Sequence, residues 1–382
     1  MSEWRSTTWG EICALTYGKS IKGYQDHDTG YPVYGTNGPI GYWDVPLQDE
    51  PGLIIGRKGA YRGVHYAKCP FFVIDTAYAL KADASVDIRW AYYSLLNVDI
   101  NSMDSGSAIP STSRDEFYGI PVLLPPLAEQ REIASILGAL DDKIELNRRR
   151  AATLEEMARA LYRSWFVDFD PVKAKAEGLA PAFMDEATAA LFPDRFGDDG
   201  LPEGWGMRRL GDLLTLNYGK ALKKEVRQAG QYPVYGSGGS DSSHVEALVS
   251  YPTIIVGRKG TVGSIYWSPR GCWPIDTTYY VSGSYPMVYA LHVLRGLPLS
   301  EMNTDAAVPG LNRENAYRLE IPFPGEELVA SFSNRAAAIQ EKIDSIDQEI
   351  STLGALRDTL LPKLMSGELR VGEAQDQIEE VA

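Results

Sequence analysis

Cysteine is scarce: Cys13, Cys69 and Cys272 are the only three in 382 residues. They lie far apart, which excludes a disulfide framework and a cysteine zinc site and predicts a reduced, cytoplasmic setting. Histidine is nearly as rare, and His27, His65, His244 and His292 show no metal-ligand spacing. No apolar run approaches the roughly 18 residues that span a bilayer, so no membrane association is expected. Residues 1–10, MSEWRSTTWG, lack the basic-then-apolar order of a secretory leader. Nucleotide motifs are missing as well. YGKS at 17–20 ends like a phosphate-binding loop, but Cys13 stands where its leading glycine belongs, and a later copy reads YGKA. The glycines of GRKGTVG (257–263) precede a strand-like run, whereas dinucleotide loops open a helix. These absences leave no expected catalytic residue, metal or cofactor.

Net charge is −14, which as a sum disfavours nucleic acid, but its distribution matters more. Residues 201–325 carry 12 basic against 10 acidic side chains, while residues 326–382 carry 5 against 12. The acid is concentrated outside the two large globular blocks, and basic patches on those blocks remain available.

The chain repeats itself. GEICALTYGKS (10–20) matches GDLLTLNYGKA (211–221), and YPVYGTNG (31–38) matches YPVYGSGG (232–239). IIGRKG (54–59) matches IVGRKG (255–260), and IDTAY (74–78) matches IDTTY (275–279), all at an offset of 201. IPSTSRDEFYGI (109–120) parallels VPGLNRENAYRL (308–319) at 199. So long a period means duplicated domains, since solenoid repeats run about 20–50 residues. Between the shared blocks the copies diverge: YWDVPLQDE has no counterpart in HVEALVSYP.

Each copy is followed by a helical seam. Over 127–166, Ile133, Leu137, Leu140, Ile144, Asn147, Ala151, Leu154, Ala158, Leu161 and Trp165 alternate spacings of four and three. Such a helix spans on the order of 55–60 Å. From about 327 to 365, Phe332, Ala336, Ile339, Ile343, Ile346, Ile350 and Leu353 keep the alternation, Arg357 interrupts it, and Leu360 and Leu364 resume it. Neither stripe can be buried alone, and the domain between them lets the chain return, so the two helices are expected to pack antiparallel with the copies related by a pseudo-two-fold. Asn147 is a polar core residue of the kind that fixes register. The expected fold is α+β, divided into a first domain (1–126), a central long helix (127–166), a linker (167–200), a second domain (201–325), a C-terminal long helix (326–370) and an acidic tail (371–382). The linker reads as loop with one short helix near 184–192, and the tail as mobile.

The repeats supply the candidate contacts. LIIGRKGAYRGVHYA (53–67) reads as a strand, a tight turn and a second strand, with Arg57 and Lys58 at the exposed tip and Arg258 and Lys259 in the same place in the second copy. Such a tip is either a solvated turn or a contact to phosphate or base, since two-stranded ribbons approach DNA. Tyr34 and Tyr235 either stack on a ligand or sit half-buried in a strand. Ser113 and Glu116 fit a helix capping box, which places Arg114 and, in the second copy, Arg313 in a first helical turn. Lys19 and Lys220 close the repeated YGK. Asp75 and Asp276 repeat without a nucleophile or base beside them, and a structural role at a strand end is expected of them.

Several stretches resemble the specificity (S) subunit of type I restriction–modification enzymes. They are PPLAEQREIASIL (125–137), LDDKIELNRRRAATLEEMARALYRSWFVDFDPVKAKAEG (140–178), LPEGWGMRRLGDL (201–213) and LPKLMSGELRV (361–371). The resemblance implies two target-recognition domains with curved sheets, separated by two long antiparallel helices. Each domain would read half of a bipartite site in double-stranded DNA. The helices would dock two N6-adenine methyltransferase subunits, and two ATP-dependent translocase–nuclease subunits would join for cleavage. S-adenosylmethionine, ATP and magnesium would belong to those partners. On this reading DNA contacts fall to Arg57, Lys58, Arg258, Lys259, Lys19, Lys220, Tyr34, Tyr235, Arg114 and Arg313. Partner docking falls to the seam at Leu140, Ile144, Asn147, Leu154, Ile343, Ile346 and Ile350, flanked by Arg148–Arg150. The competing readings are a coiled-coil scaffold with two non-DNA ligand-binding modules, and a self-sufficient nuclease or methyltransferase.

Overall fold

The computed structural model describes residues 4–103, 110–302 and 310–379. The first residues of the repeat at 109–120 and 308–319, and residues 380–382 of the acidic segment, lie outside this description. Contacts divide the chain into two units, one of residues 1–147 with 349–382 and one of residues 148–348.

The first unit runs β1 (Arg5–Thr8), α1 (Trp9–Ile12), β2 (Cys13–Tyr17), β3 (Tyr31–Gly35), β4 (Gly38–Trp43), β5 (Gly52–Gly56), β6 (Val64–Ala67), β7 (Phe72–Val73) and β8 (Ala77–Ala82). It continues with α2 (Ile88–Leu96), α3 (Arg114–Tyr118) and β9 (Pro121–Leu124) before the long helix α4 (Leu127–Phe166) begins. Three small sheets result: β2-β8-β5-β6, β4-β3-β7, and the pair β1-β9. Strand β5, GLIIG, is buried along its whole length, as a central strand covered on both faces must be. Trp9 stacks on Trp90 at 6.3 Å and joins Phe117, Leu53 and Tyr93 in the core. Helix α2 starts where the Asp87 carboxylate accepts from the Arg89 and Trp90 amides.

After α4 come α5 (Asp170–Ala176) and α6 (Glu186–Ala190). The second set of strands follows: β10 (Gly206–Arg209), β11 (Thr215–Tyr218), β12 (Tyr232–Gly236), β13 (Gly239–His244), β14 (Thr253–Gly257), β15 (Ile265–Ser268), β16 (Trp273–Pro274), β17 (Thr278–Ser282) and β18 (Glu320–Phe323). They are accompanied by α7 (Leu210–Leu213), α8 (Met287–Gly296) and α9 (Arg313–Tyr317). The sheets β11-β17-β14-β15, β13-β12-β16 and β10-β18 repeat the first unit strand for strand. The divergent segments obey the same frame: Leu47 and Gln48 bond to the Phe71 carbonyl, and Leu248 and Val249 bond to the Cys272 carbonyl.

The chain closes with α10 (Glu326–Ser366) and α11 (Val371–Glu379). Within the first unit, Leu137 and Leu140 of α4 share a core with Leu360, Leu361 and Leu364 of α10. Asp141 pairs with Arg357 at 2.7 Å and Lys143 with Glu349 at 3.1 Å, so rising numbers on one helix meet falling numbers on the other and the helices run antiparallel there. Arg357, which breaks the apolar alternation, is thus matched by a carboxylate on the facing helix. Within the second unit, Trp165 and Phe166 close on Phe332, with ring centroids 6.0 and 5.2 Å away.

Two expectations need correction. The linker holds two helices, not one. Pro171 at the start of α5 is preorganised for a first helical turn, and Val172 is fully buried beside Phe166 and Trp205. The tail is not loose over its described residues. Val371, Ala374 and Ile378 are spaced for one helical face and pack on the first unit's core, while the Glu373 carboxylate accepts from the Arg370 amide. Acidic composition signalled disorder, but three apolar residues at helical spacing outweighed it.

His292 on α8 is 4% exposed and stacks on Tyr162 of α4 at 5.8 Å. Burial first, then the Arg295 and Arg159 charges, pushes its pKa down to about 4. An unfolded histidine titrates near 6.5, so between those values the unfolded chain holds a proton that the folded chain lacks. Stability is therefore full above about pH 6.5 and falls as pH drops toward 4, by up to about 3 kcal/mol from this one group. Denaturant titrations at pH 7, 5.5 and 4.5 should show a shallower pH dependence for His292→Phe than for the parent. Equal slopes would refute the assignment.

Candidate nucleic-acid interface

Each GRKG segment follows a fully buried strand, and its two glycines serve different needs. A Cβ at Gly56 would lie 2.8 Å from the Thr36 carbonyl oxygen and 2.9 Å from the Arg62 Cα, so only glycine fits between those backbones. Gly59 and Gly260 sit at φ +123° and +81°, the region glycine enters without strain. The connection is not a tight turn, however. It runs over residues 57–63 and 258–264 before the next strand begins.

Arg57 and Arg258 are held rather than presented at a free tip. The Arg57 and Lys58 amides donate to the Thr76 carbonyl, and those of Arg258 and Lys259 donate to Thr277. The Arg57 guanidinium donates to the Asp75 carbonyl at 3.0 Å, and Arg258 donates to that of Asp276 at 2.9 Å. The turn at each repeated IDT thus supplies backbone carbonyls that fix the arginine. On the other side, the Thr112 and Leu311 amides donate to the Arg57 and Arg258 carbonyls. Turn geometry was misjudged from sequence because these long-range bonds replace the local ones a hairpin would use.

Fixed this way, the arginines gather around a tyrosine. The Arg57 guanidinium lies 4.7 Å from the centre of the Tyr17 ring and Arg114 lies 4.8 Å from the same ring. In the second unit Arg258 lies 5.0 Å and Arg313 5.3 Å from Tyr218. Tyr78 and Tyr279 back the clusters, each 5.1 Å from the central ring at 58°. Their hydroxyls donate to the Thr112 and Leu311 carbonyls. Caps place the second arginine: Ser113 accepts from the Glu116 amide, and Asn312 accepts from those of Glu314 and Asn315. The central tyrosines stay open, Tyr17 at 48% and Tyr218 at 53% exposure, and Lys58 and Lys259 beside them are exposed. A cleft of about 230 Å³ opens among Tyr218, Arg258, Lys259, Tyr279 and Arg313.

Two guanidinium groups sharing one ring repel each other. The cation–π attraction offsets this by roughly 0.5–2 kcal/mol each, and a bound anion would remove the repulsion. The clusters differ in one respect. Arg313 pairs with Glu314 at 3.3 Å and donates to the Leu216 carbonyl, whereas Arg114 is exposed.

The other candidates lie elsewhere. Lys19 and Lys220 are exposed, with their amides tied to the Val73 and Pro274 carbonyls. Tyr34 packs edge-on against Phe71 at 5.9 Å. Tyr235 leans on Tyr266, its hydroxyl donating to the Trp267 carbonyl. Burial raises the pKa of both phenols. These two tyrosines are half-buried and stand outside the arginine clusters. The seam residues are turned inward: Leu140, Ile144, Asn147 and Ile346 are buried, and Leu154, Ile343 and Ile350 half-buried. Of these, Leu140 shares a core with Leu360 and Leu364 of α10. The Asn147 amide is buried with no hydrogen-bond partner among the described residues. Tyr17, Tyr218, Tyr78 and Tyr279 were not singled out in the sequence, although each belongs to a repeated block.

The match to known proteins is extensive. Residues 1–156 and 202–324 fit the family model of the type I restriction modification DNA specificity domain. The type I restriction enzyme HindI specificity subunit of Haemophilus influenzae is 26% identical over 334 residues, covering 68% of this chain and 71% of that one. The MjaIX specificity subunit of Methanocaldococcus jannaschii is 26% identical over 303 residues, covering 72% and 66%. The crystal structure of a type I restriction-modification system S subunit from M. genitalium shares the fold, with a TM-score of 0.67 at 19% identity over 95% of this chain and 96% of that one.

Proposed function

Because this chain belongs to the family of type I restriction modification DNA specificity domains, we propose that it recognises a bipartite DNA site, one half per target-recognition domain, for a methyltransferase that it does not itself contain. The observation that carries this is the duplicated cluster, Tyr17–Arg57–Arg114 and Tyr218–Arg258–Arg313. The two copies diverge around it yet keep the same cations on the same ring. What both copies keep answers to what both half-sites share, and that is the phosphate backbone. Residues 1–126 and 201–325 form the two domains on this reading. The outward side of α4, where Leu146 and Met157 are exposed beside Arg150, is the docking surface for methyltransferase subunits. ATP-dependent nuclease subunits join that complex, and all cofactors reside in the partners.

The test is to assemble the chain with its methyltransferase subunit and map methylated adenines on random-sequence DNA. Two short fixed motifs at a constant spacing are expected. The chain alone should neither methylate nor cleave DNA when given S-adenosylmethionine, ATP and magnesium. Activity without a partner, or methylation without a bipartite motif, would overturn the reading.

A further inference from the structure

If the repeated cluster grips what the half-sites share, the bases must be read where the copies differ. One element differs in side chains while its backbone does not. Strands β3 and β12 are both YPVYG, and each pairs antiparallel with an edge strand, β4 or β13. The registers coincide: Tyr31↔Trp43 and Gly35↔Gly38 in the first unit, Tyr232↔His244 and Gly236↔Gly239 in the second. Both ladders shift at the same place, between Val33 and Tyr34 and between Val234 and Tyr235. Both edge strands open on a glycine of positive φ, +112° at Gly38 and +104° at Gly239. After that glycine the chemistry changes completely. Strand β4 continues PIGYW and β13 continues SDSSH.

These strands are joined to the clusters. The Gly63 amide, which ends the GRKG connection, donates to the Thr36 carbonyl in the β3–β4 turn. In the second unit Ser264 Oγ donates to the Ser237 carbonyl at 2.6 Å. The Tyr34 and Tyr235 carbonyls accept from Ile74 and Ile275, which precede the residues that hold Arg57 and Arg258. An arginine fixed on phosphate therefore fixes the edge strand beside it. The groups presented differ in kind. On β4, Pro39 and Tyr42 are exposed, and Trp43 meets His27 edge-on at 5.1 Å. On β13, Ser240 and Asp241 are exposed, with Asp241 held between Arg227 at 2.9 Å and Lys224 at 3.4 Å. Apolar and aromatic groups suit thymine methyls, while hydroxyl, carboxylate and ammonium groups suit the hydrogen-bonding edges of bases.

We propose that β4 and β13 are the specificity-determining strands, each reading bases of one half-site from the same backbone frame. This rests on the DNA-recognition reading above. The experiment selects binding sites from randomised duplexes, using the full chain assembled with its methyltransferase subunit. Tyr42→Ala should relax base preference about tenfold in one half-site only. Ser240→Ala with Asp241→Asn should do the same in the other half-site. Tyr42→Ala should not change the slope of affinity against salt, because it removes no charge, whereas Asp241→Asn frees Arg227 and Lys224 and should not lower the slope. Thermal unfolding of each variant, compared with the parent, reports that the altered unit is folded. Selection of the unaltered motif by both variants would overturn the proposal, and so would equal relaxation of both halves. If Tyr42→Ala proves unstable, Tyr42→Gln replaces the ring with a hydrogen-bonding group, and unchanged preference in that variant together with Ser240→Ala would count against the strands. A parent protein that selects no bipartite motif would instead sink the reading on which the proposal rests.

Discussion

Replacing Leu140 and Ile144 together with aspartate should cost the first unit roughly 5 kcal/mol or more, about the whole stability of a typical domain. Leu140 is 4% and Ile144 3% exposed, and Leu140 shares a core with Leu360 and Leu364 of the facing helix. Truncating one such leucine to alanine already costs about 2–5 kcal/mol. Aspartate adds the burial of a charge with no partner placed for it, since the nearby Arg357 guanidinium is already engaged by Asp141. The existing acids add repulsion: Asp141 and Asp142 lie one and two residues beyond Leu140. Urea titration followed by circular dichroism checks this, with an earlier first transition expected in the double variant. Because the proposed docking face lies on the same helix, co-purification with a methyltransferase subunit should fail as well. A double variant with the parent's urea midpoint and undiminished co-purification would show that the seam neither holds the helices nor orders a docking face.

The sequence made the large features readable for a physical reason. A forty-residue apolar stripe at alternating four and three can only be a helix with a partner, and α4 spans Leu127–Phe166. Duplication was equally plain, because shared blocks recur at one offset. What stayed hidden depends on contacts between distant residues. The GRKG loop looked like a tight hairpin because local signals end at Gly59. Bonds to Thr76, Pro110 and Thr112 decide its course, and no local pattern encodes them. Tyr17 was invisible as a site residue for the same reason: its partners Arg57 and Arg114 are 40 and 97 positions away. Conversely, Tyr34 and Tyr235 stand out in the sequence for their aromatic repeat, yet they lie half-buried against Phe71 and Tyr266, apart from the clusters. The repetition of YPVYG preserves a strand frame with the same register in both units.

Removing the arginines of one cluster should weaken DNA binding about a hundredfold at moderate salt, for every sequence alike. The variants are Arg57→Ala with Arg114→Ala, and Arg258→Ala with Arg313→Ala, in the chain assembled with its methyltransferase. Charge-assisted hydrogen bonds contribute about 1.5–3 kcal/mol each, so losing two accounts for that loss. Each phosphate contact also releases condensed counterions, and the slope of log K against log salt should fall by about 0.9 per contact removed. Lys58→Ala or Lys259→Ala added to its pair should lower the slope by about one further contact. The two pairs should not behave identically. Glu314 already neutralises part of the Arg313 charge at 3.3 Å, while Arg114 shares Tyr17 with Arg57 alone. The first pair should therefore show the larger drop in slope. Arg57 and Arg258 also brace their loops through the Asp75 and Asp276 carbonyls, so thermal unfolding of each variant separates a loosened loop from a lost contact. Tyr17→Ala and Tyr218→Ala should reproduce part of the effect with both charges still present, because the guanidinium groups lose the ring that aligns them. Base preference should survive in all of these variants. If an arginine pair instead relaxed a single base position by about 1–3 kcal/mol and left the salt slope intact, the cluster would be reading a guanine edge. The bases would then be read at residues the two halves have in common, and two different half-sites could not be told apart by the clusters themselves.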